Sequence, residues 1–539
     1  GIMSICILCG CQENTGSNQS PVPQYQFSNE LEEQWSELGE NPMMKRFAQS
    51  RQRLSTDPHR PIYHYVNPEG NLNDPNGLCY WQGRWHLFYQ AYPPEYPRQH
   101  WGHAVSDDLI HWKDLPLAIY PGPERACFSG SALVDDDQVI AFYHGTEVGS
   151  MAAVSSDPLL LNWEKVTGNA VIPIADPSGF PLPYSVYDPC IWKHDTVYYA
   201  LLGGRVHEGP GKKPVPTAYL FRSMDLANWQ YMHEFVEDDR FTLIGDDYAC
   251  PYFWPIGNRY ILPFYSHMSG GQYLLGDYDI KRQKFITTNH GYFNFGPSSP
   301  SGIHAPSAAP DQQGGVIILF NMNPGMNTEG WNQIMSLPRR LTLINEDEIG
   351  MEPAGDIESL RYDHQHVVGM TLPANKEVLL PRIEGNAMEI IAELDPENAT
   401  MIDLNVLRSP DKEEYTRIEI QPQRGYGSGR EYWRTAGTSR TRKPRPCLVT
   451  LHTSYSSILP GAYSRLPETA PVALNDGETL KLRIFIDKSV VEVFINGKQC
   501  VAARVYPGRD DSTGVSLRSQ GQDCRLISLD AWQMKSIYQ

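Results

Sequence analysis

The chain has 539 residues, of which 41% are hydrophobic and 20% are charged, an ordinary composition for a globular protein of two or more domains. Its formal net charge of −18 argues against a nucleic-acid partner, because phosphate backbones are bound by clustered Lys and Arg. The 30 Tyr, 12 Trp, 43 Pro and 44 Gly predict many short strands joined by turns. We therefore expect an all-β protein.

The chain opens with a short apolar run over 2–8, followed by a Leu-Cys-Gly-Cys sequence that ends at Cys11. This pattern is typical of the end of a bacterial lipoprotein signal, although no basic residues precede it here. We therefore expect a bacterial lipoprotein at the cell surface or in the periplasm, attached to the outer membrane through a lipid on Cys11. The alternative is an irregular chain start that carries no such signal.

Residues 1–55 are polar after this start and are predicted to be a signal remnant and a flexible or loosely docked leader, with one short helix over 28–49. Seven further cysteines are scattered without the paired spacing of a zinc site or the density of a disulfide scaffold, so we expect buried thiols and no metal or cofactor. These cysteines are Cys79, Cys127, Cys190, Cys250, Cys447, Cys500 and Cys524.

Strand-like runs bounded by turn residues then follow one another, and they predict a β-rich domain over 56–345. Within it a phrase of Ser and Asp followed by Trp occurs three times, over 106–112, 156–163 and 223–229. Such repeats are typical of the successive sheets of a β-propeller. Three unrelated surface turns of a β-sandwich are the alternative. The runs lie at 85–90, 132–134, 139–144, 196–202, 260–265 and 316–320.

The strand pattern loosens over 346–366, which we interpret as a linker. Residues 367–539 again contain alternating strands, including 480–486 and 490–495, which are joined by a hairpin-like turn over 487–489. This part predicts a β-sandwich with a supporting role.

Three turn segments hold acidic residues that could be brought together by the fold. The segment 71–77 contains Asp74 among Asn, Pro and Gly, which predicts a tight turn that presents its carboxylate rigidly. Asp188 precedes a proline and should be extended, and 245–251 is a third segment that ends at a proline. A retaining glycosidase needs two carboxyl groups about 5 Å apart, which this pattern could supply. A local Asx turn is the alternative for Asp74.

Several ordered motifs carry a closer resemblance. Six motifs stand in the order found in one family. They are Asn73 to Gly77, Trp85 to Gln90, Trp101 to Ala104, Phe128 to Ser131, Trp331 with Ser336 to Arg339, and Phe485 to Phe494. The sequence over about 60–535 resembles glycoside hydrolase family 32, the invertase, inulinase and levanase group.

The resemblance implies a five-bladed β-propeller with the active site in its axial funnel, followed by a β-sandwich. It implies that Asp74 is the nucleophile and that Asp188 stabilises the transition state. The implied substrate-binding residues are Asn73, Gln90, Trp101, Phe128, Ser129, Tyr187, His304 and Trp331. Large aromatics such as Trp101 and Phe128 are alternatively core residues, and Asn73 and Gln90 are alternatively satisfied by local hydrogen bonds.

The chain departs from the family at two positions. Tyr187 stands where the family has an Arg before the Asp, and Ala249 stands where the family has its acid/base Glu. An introduced Glu-to-Ala substitution and a natural fructan-binding relative both explain Ala249. Asp246 and Asp247 are nearby carboxylates, but Asp247 should face away if Tyr248 faces a neighbouring strand as in the family. If Ala249 is an introduced substitution, we expect activity to be lower by at least about 10²- to 10⁴-fold, with substrate binding retained.

These residues predict a retaining β-fructosidase that hydrolyses β-fructofuranosyl linkages of a fructan, levan or inulin, or of short fructosides. The expected partner is this oligo- or polysaccharide. A fructosyltransferase and a non-catalytic fructan-binding protein are the alternatives, and a related five-bladed glycosidase acting on pentosans is a more remote one. Internal and terminal cleavage remain open at this point.

Overall fold

The computed structural model describes residues 20–396, 399–422, 445–475 and 477–538. Cys11 and the proposed signal lie outside the described residues. About 51% of the described residues are strand and 6% are helix, which confirms the all-β prediction. Among the described helices, none combines the length and the apolar character that crossing a bilayer requires.

Five sheets follow one another over 72–353 and form the five blades of the predicted propeller. The first blade comprises β1 (Leu72–Trp81), β2 (Arg84–Ala91), β3 (His100–Ser106) and β4 (Lys113–Ile119). The second comprises β5 (Cys127–Asp135), β6 (Gln138–Gly145), β7 (Gly149–Ser155), β8 (Glu164–Lys165) and β9 (Ile172–Pro173). The third comprises β10 (Pro189–His194), β11 (Val197–Val206), β12 (Val215–Ser223) and β13 (Trp229–Glu234).

The last two blades have five strands each, and most neighbouring strands are antiparallel. The fourth comprises β14 (Val236–Glu237), β15 (Trp254–Ile256), β16 (Arg259–Ser266), β17 (Gly270–Asp279) and β18 (Lys284–Tyr292). The fifth comprises β19 (Ile303–Pro310), β20 (Val316–Met322), β21 (Ile334–Met335), β22 (Arg339–Asn345) and β23 (Glu348–Pro353).

The repeated Ser/Asp phrase forms the same turn in the first three blades. In each blade it joins the third strand to the fourth, and the Asp carboxylate accepts hydrogen bonds from backbone N–H groups of the turn. Each turn also contains a leucine in the left-handed backbone region, one residue after the Asp at Leu109 and Leu226 and three residues after it at Leu160. The repeat therefore marks equivalent positions in successive blades, as the propeller interpretation requires.

The segment around Asp74 differs from the predicted tight turn. It is the beginning of β1, whose pairing with β2 shifts register between Leu72 and Pro75 and again between Asn76 and Cys79. Proline is tolerated in a strand at such irregularities because it cannot donate a ladder hydrogen bond. Gly77 has a φ of 52°, and a Cβ there would lie 3.0 Å from the Trp101 ring. The bulged strand thus gives Asp74 a fixed position.

Two six-stranded sheets pack as a β-sandwich after the propeller. The strand order of the first sheet is β24-β35-β26-β31-β32-β33, and that of the second is β25-β34-β27-β28-β29-β30. The strands are β24 (Arg361–Leu372), β25 (Glu377–Glu384), β26 (Ala387–Asp395), β27 (Met401–Arg408), β28 (Thr416–Gln421), β29 (Arg445–His452), β30 (Glu468–Leu474), β31 (Leu480–Asp487), β32 (Val490–Ile495), β33 (Gln499–Arg504), β34 (Gly514–Gln520) and β35 (Cys524–Met534).

The boundary between the two domains is shorter than the predicted linker over 346–366. Residues 348–353 still belong to the fifth blade, and the sandwich begins with β24 at Arg361. Between them lies a short 3-10 helix, Ile357–Leu360, in which Ile357 and Leu360 are buried. The predicted hairpin between β31 and β32 is confirmed by their antiparallel pairing.

A fully buried polar cluster joins the propeller to this hairpin. Asp487 accepts backbone N–H groups of residues 62–64 at 2.8 Å, and its Oδ2 lies 2.9 Å from His64 Nδ1. Glu492 contacts the other imidazole nitrogen at 3.0 Å and Arg339 at 3.2 Å. Because both acids have partners on the propeller, this cluster fixes the sandwich against it.

The described part of the leader is docked and contains two helices, not one. Helix α1 (Leu31–Glu40) and helix α2 (Pro42–Leu54) are separated at Asn41, whose side chain accepts the N–H groups of Met43 and Met44. An Asn cap followed by proline ends one helix and begins the next. Arg51 of α2 forms a two-pronged ion pair with Asp114 of β4, so the leader packs on the first blade.

The seven cysteines within the described ranges are free and buried, as predicted, and they are Cys79, Cys127, Cys190, Cys250, Cys447, Cys500 and Cys524.

Candidate active site

Each blade contributes one polar residue at or just before the beginning of its inner strand. Asp74 lies on β1, Ser129 on β5, Asp188 directly before β10, Cys250 shortly before β15 and His304 on β19. These strands are neighbours around the axis, since β1 contacts both β5 and β19, and β5 contacts β10. Residues far apart in sequence therefore converge on one funnel.

Asp74 is buried, and its two carboxylate oxygens have different surroundings. Ser129 donates a hydrogen bond to Oδ2 at 2.6 Å, while Gln90 Nε2 and Cys250 Sγ each lie 3.5 Å from the same oxygen. Oδ1 lies 3.1 Å from Nδ1 of His304 but accepts no well-aligned hydrogen bond from any described residue. One oxygen is thus held by hydrogen bonds, and the other is buried beside His304 without a well-aligned hydrogen bond.

The electrostatic surroundings keep Asp74 ionised. Burial alone would raise its pKa, but contacts with His304 and hydrogen bonds from Ser129 and Cys250 lower the pKa below the usual value. An ionised carboxylate with one free oxygen is what a nucleophile requires.

Asp188 is the second carboxylate of the funnel, and Cys250 connects it to Asp74. The Cys250 backbone N–H donates to Asp188 Oδ2 at 3.1 Å, and the thiol lies 3.5 Å from Oδ2 of both acids. Cys250 has a φ of 48°, a backbone conformation that few residues adopt. Burial and the nearby negative charge of Asp74 raise the pKa of Asp188 to about 6. The two acids therefore titrate in different pH ranges.

Ala249 lies in a pocket of about 220 Å³ beside Asp188. Its side chain is a methyl group, so no acid stands at the position where the family resemblance implies the acid/base glutamate. The lining residues are Tyr187, Asp188, Gly203, Gly204, Arg205, Asp247, Tyr248, Ala249 and His267.

The prediction that Asp247 faces away is wrong. Asp247 lines this pocket, whereas Tyr248 is 1% exposed and its hydroxyl donates to Asp239. Successive side chains of an extended segment point to opposite sides, so a buried Tyr248 places Asp247 and Ala249 together on the pocket side. Asp246 is fully buried and bonded to Ser266 and Ser269, which removes it from the candidates.

Tyr187 is 48% exposed and lines the same pocket, where the family has an arginine. Arg205 of β11 also lines the pocket, so the pocket has an arginine that comes from a different strand than the family arginine. Gly203 of β11 has no room for a side chain, because a Cβ there would lie 1.8 Å from the Tyr248 carbonyl oxygen. This contact positions the segment that carries Ala249 against the third blade.

The predicted binding residues Asn73, Gln90, Ser129 and His304 all surround Asp74. Gln90 Nε2 donates to Ser129 Oγ at 3.0 Å, which aligns the hydroxyl that holds the carboxylate. The Asn73 side chain accepts hydrogen bonds from Asn321 at 3.1 Å and Gln333 at 3.3 Å. The amides of Asn73 and Gln90 therefore have hydrogen-bond partners within the protein, as the alternative for these residues expected, and they also lie beside Asp74. Phe128 is partly exposed, with its ring 6.1 Å from that of His144.

Trp101 and Trp331 do not take the predicted place in the pocket wall. Trp101 is 0% exposed, and its indole N–H donates to the Phe128 carbonyl at 2.9 Å. Trp331 is 1% exposed, donates a hydrogen bond to Asp57 and packs under Arg60 and Arg504. Both are core aromatics, as large rings often are, and Trp101 acts on the site only by positioning the loop at Phe128.

Sequence reasoning missed Cys250 as a link between the carboxylates, and it missed Arg205, Asn321 and His267. The signal for Arg205, Asn321 and His267 was weak, because none of them lies in one of the three acidic segments and their positions depend on which strands become neighbours. For Cys250 alone the motif before Pro251 provided a signal that could have been used.

Known proteins resemble this chain over most of its length. The N-terminal domain of glycosyl hydrolases family 32 matches residues 64–353, and the C-terminal domain of that family matches 356–533. The chain is 28% identical over 527 residues to a levanase of Bacillus subtilis (strain 168), covering 89% of this chain and 71% of the relative. It is 26% identical over 508 residues to a sucrose-6-phosphate hydrolase of Zymomonas mobilis, covering 86% and 90%.

Among solved structures, fructan 1-exohydrolase IIa from Cichorium intybus has the same fold, with a TM-score of 0.75, 22% identity, and coverage of 89% of this chain and 98% of that one. Two family domains together account for nearly the whole described chain, in the order propeller then sandwich. The chain therefore belongs to glycosyl hydrolase family 32, the family of β-fructosidases.

Proposed function

We propose that this protein is a retaining β-fructosidase that cleaves β-fructofuranosyl linkages of a fructan outside the cell. The observation that carries the proposal is Asp74, an ionised carboxylate with Oδ2 held by Ser129 and with a buried Oδ1 that lies 3.1 Å from His304 Nδ1 without a well-aligned hydrogen bond. Asp188 is linked to it through the Cys250 thiol and is the carboxylate that stabilises the transition state, while the acid/base carboxyl of the family is missing at Ala249.

In this mechanism Oδ1 of Asp74 attacks the anomeric carbon of the fructosyl unit, and the bond to the leaving sugar oxygen breaks. A covalent fructosyl-enzyme forms, and water then releases fructose with the original configuration. Asp188 stabilises the positive charge of the transition state when it is ionised. Ser129 and Gln90 hold the nucleophile at a fixed angle, so little reorganisation accompanies attack.

Exposed aromatic rings near the pocket support an oligosaccharide or polymer as substrate. Phe180 is 71% exposed on the loop that leads into Asp188, and Tyr187 is 48% exposed in the pocket wall. Aromatic rings present apolar faces on which the carbon skeleton of a sugar can stack. The levanase relative is consistent with a levan-type polymer, which places levan ahead of inulin and sucrose in the proposal.

Incubation with levan, inulin and sucrose, followed by chromatography of the released sugars, tests this function. We expect fructose or short fructans from levan, and no release by the Asp74→Asn variant. Products longer than the substrate at high sugar concentration would identify the fructosyltransferase alternative. No cleavage of any of the three would contradict the proposal.

A fructan-binding protein without turnover is the second candidate, and Ala249 is the observation that favours it. A site that lacks the family acid would keep a fructan bound without cleaving it, whether Ala249 is natural or replaces a glutamate. If cleavage requires Ala249→Glu and binding does not, the wild-type chain is a binding form of the enzyme. Tight levan binding by both forms without cleavage by either would establish the second candidate.

We propose in addition that Cys11 carries a lipid that attaches the protein to the outer membrane. Metabolic labelling with a radioactive fatty acid tests this in the bacterial host, with Cys9→Ala as the matched control. Label that persists in Cys11→Ala would contradict the assignment.

A further inference from the structure

An unusual pair of side chains lies next to Ala249. Ala249 and Tyr265 exchange both backbone hydrogen bonds, at 3.0 and 2.8 Å, so the two segments run antiparallel there. Two residues along, Asp247 lies opposite His267, whose backbone N–H donates to Oδ1 at 3.0 Å and whose Nδ1 donates to Oδ2 at 2.9 Å. All four side chains therefore share one face of the pair.

His267 is placed to reach over the methyl group of Ala249. The two positions are diagonal neighbours across the pair, a separation of about 7–8 Å that long side chains can span. Both residues line the pocket beside Asp188, and the His267 side chain is 68% exposed. Its Nε2 makes no hydrogen bond within the described part of the chain. That nitrogen is therefore available to a group bound in the pocket.

The surrounding charges favour a protonated imidazole. The hydrogen bond to Asp247 raises the pKa of His267 against the effect of burial, and the charges of Asp188 and Asp74 act in the same direction. Arg205 also lines the pocket and is the opposing cation there, and the Tyr265 ring contacts the imidazole edge-on at 5.3 Å. Asp247 itself is held ionised, because the bonds from His267 outweigh burial and lower its pKa. It is therefore an orienting anion and not an acid.

We propose that His267 is the general acid/base of this enzyme, oriented by Asp247, in place of the glutamate that Ala249 lacks. As Asp74 Oδ1 bonds to the anomeric carbon, the bond from that carbon to the leaving oxygen breaks and the Nε2 proton moves to that oxygen. In the second half, Nε2 takes a proton from water as its oxygen bonds to the anomeric carbon and Asp74 is released. The inference rests on the proposed β-fructosidase function.

The test compares two leaving groups, since only a sugar alcohol needs a proton whereas fluoride does not. We would measure kcat/KM of the wild type, His267→Gln and His194→Gln for levan, sucrose and β-D-fructofuranosyl fluoride. His194 is the matched control because it is similarly exposed at the end of β10, away from the pocket. We expect His267→Gln to lower kcat/KM for levan or sucrose by about 10²- to 10⁴-fold and to leave the fluoride value nearly unchanged.

Two further readouts separate an acid from a merely structural residue. The decline of kcat/KM for levan at high pH should be absent in His267→Gln and should move to lower pH in Asp247→Asn, because the ion pair that raises the His267 pKa is lost. Adding Ala249→Glu to His267→Gln should restore cleavage of levan.

The outcomes distinguish failure of this inference from failure of the function. Cleavage of levan or sucrose by His267→Gln at the wild-type rate overturns the role of His267 and leaves the β-fructosidase in place. Wild-type cleavage of the fluoride alone, with levan cleaved only after Ala249→Glu, also overturns it. No cleavage of any substrate by the wild type or by Ala249→Glu overturns the function itself.

Discussion

The protein buries two groups of carboxylates, one between its domains and one in the propeller funnel, and their partners differ. At the domain interface Asp487 and Glu492 are fully enclosed, and each is bonded to His64 and further donors. In the funnel Asp74 keeps one oxygen without a well-aligned hydrogen bond, and Asp188 is bonded mainly through Cys250.

This difference separates structural acids from reactive ones. A buried charge whose donors are complete stabilises one arrangement of the chain and has nothing left to offer a substrate. A buried carboxylate oxygen without a hydrogen bond destabilises the folded state, and the sites that contain one are typically functional. The comparison predicts that changes in the funnel alter activity and that changes at the interface alter stability.

The largest expected effect is on activity, from removal of the nucleophile. Asp74→Asn should lower kcat for levan by on the order of 10⁴-fold or more, because the covalent route is lost. Its unfolding midpoint should change less than that of the interface variant below, since the amide keeps the shape of the carboxyl group. Steady-state kinetics measures kcat, and urea unfolding measures the midpoint. A destabilised but active variant would reverse the assignment of the two groups.

The corresponding change at the interface should affect stability. Glu492→Gln leaves His64 and Arg339 without their buried anion, and we expect the free energy of unfolding to fall by about 3–5 kcal/mol. The kcat per folded molecule should be unchanged. Urea unfolding followed by tryptophan fluorescence measures the first value, and active-site titration normalises the second. Equal unfolding midpoints would show that this cluster does not secure the domains.

A smaller effect on activity should follow from loss of the hydroxyl that holds Asp74. Ser129→Ala removes the 2.6 Å hydrogen bond to Oδ2, a bond to a charged group worth about 1.5–3 kcal/mol. This corresponds to a decrease in kcat/KM of roughly 10- to 150-fold. Ser178→Ala, on an exposed loop, is the matched control. Equal activity of the two variants would mean that Ser129 does not position the nucleophile.

The pH dependence of activity should report Asp188. Burial and the charge of Asp74 raise its pKa from 3.8 to about 6, so the ionised form that stabilises the transition state is lost as pH falls through 6. A plot of log kcat/KM against pH should therefore decline below about 6. A decline only near pH 4 would contradict the raised pKa and would point to Asp74 alone.

The pH dependence of stability should report the interface, with a smaller effect. Burial alone would lower the pKa of His64, but hydrogen bonds to Asp487 and Glu492 raise it from 6.5 to about 9. Since the folded value is higher, the stabilisation is complete below pH 6.5 and is lost as pH rises through 9. Unfolding midpoints between pH 6 and 10 should fall in the wild type. The decrease of the midpoint should be smaller in His64→Gln. Equal decreases in the two proteins would show that His64 does not cause the pH dependence.

The sequence was sufficient to predict the two domains and several funnel residues. Asp74, Gln90 and Ser129 lie in motifs whose order along the chain is retained, and the repeated Ser/Asp turn marks the blades. Asp188 was predicted from its position before a proline, where few backbone conformations are allowed.

The remaining errors share a physical cause, since they concern which side of an element faces the funnel. Trp101 and Trp331 carry motif signals but are enclosed by neighbouring strands, and burial is a property of the assembled blades. Asp247 was assigned to the wrong face because Ala249 and Tyr265 make one isolated bridge, and no local pattern sets that register. The leader was expected to be flexible or loosely docked, and the sequence did not decide between the two because the ion pair from Arg51 to Asp114 depends on the first blade being present.

The central claim is that Asp74 is the carboxylate that bonds to the sugar. Its most direct test is incubation with β-D-fructofuranosyl fluoride, rapid acid quenching and mass spectrometry of the digested protein. The account predicts one added hexosyl unit on the peptide that contains Asp74, and none in Asp74→Asn. A label on the peptide that contains Asp188, or turnover with inverted configuration and no label, would contradict it.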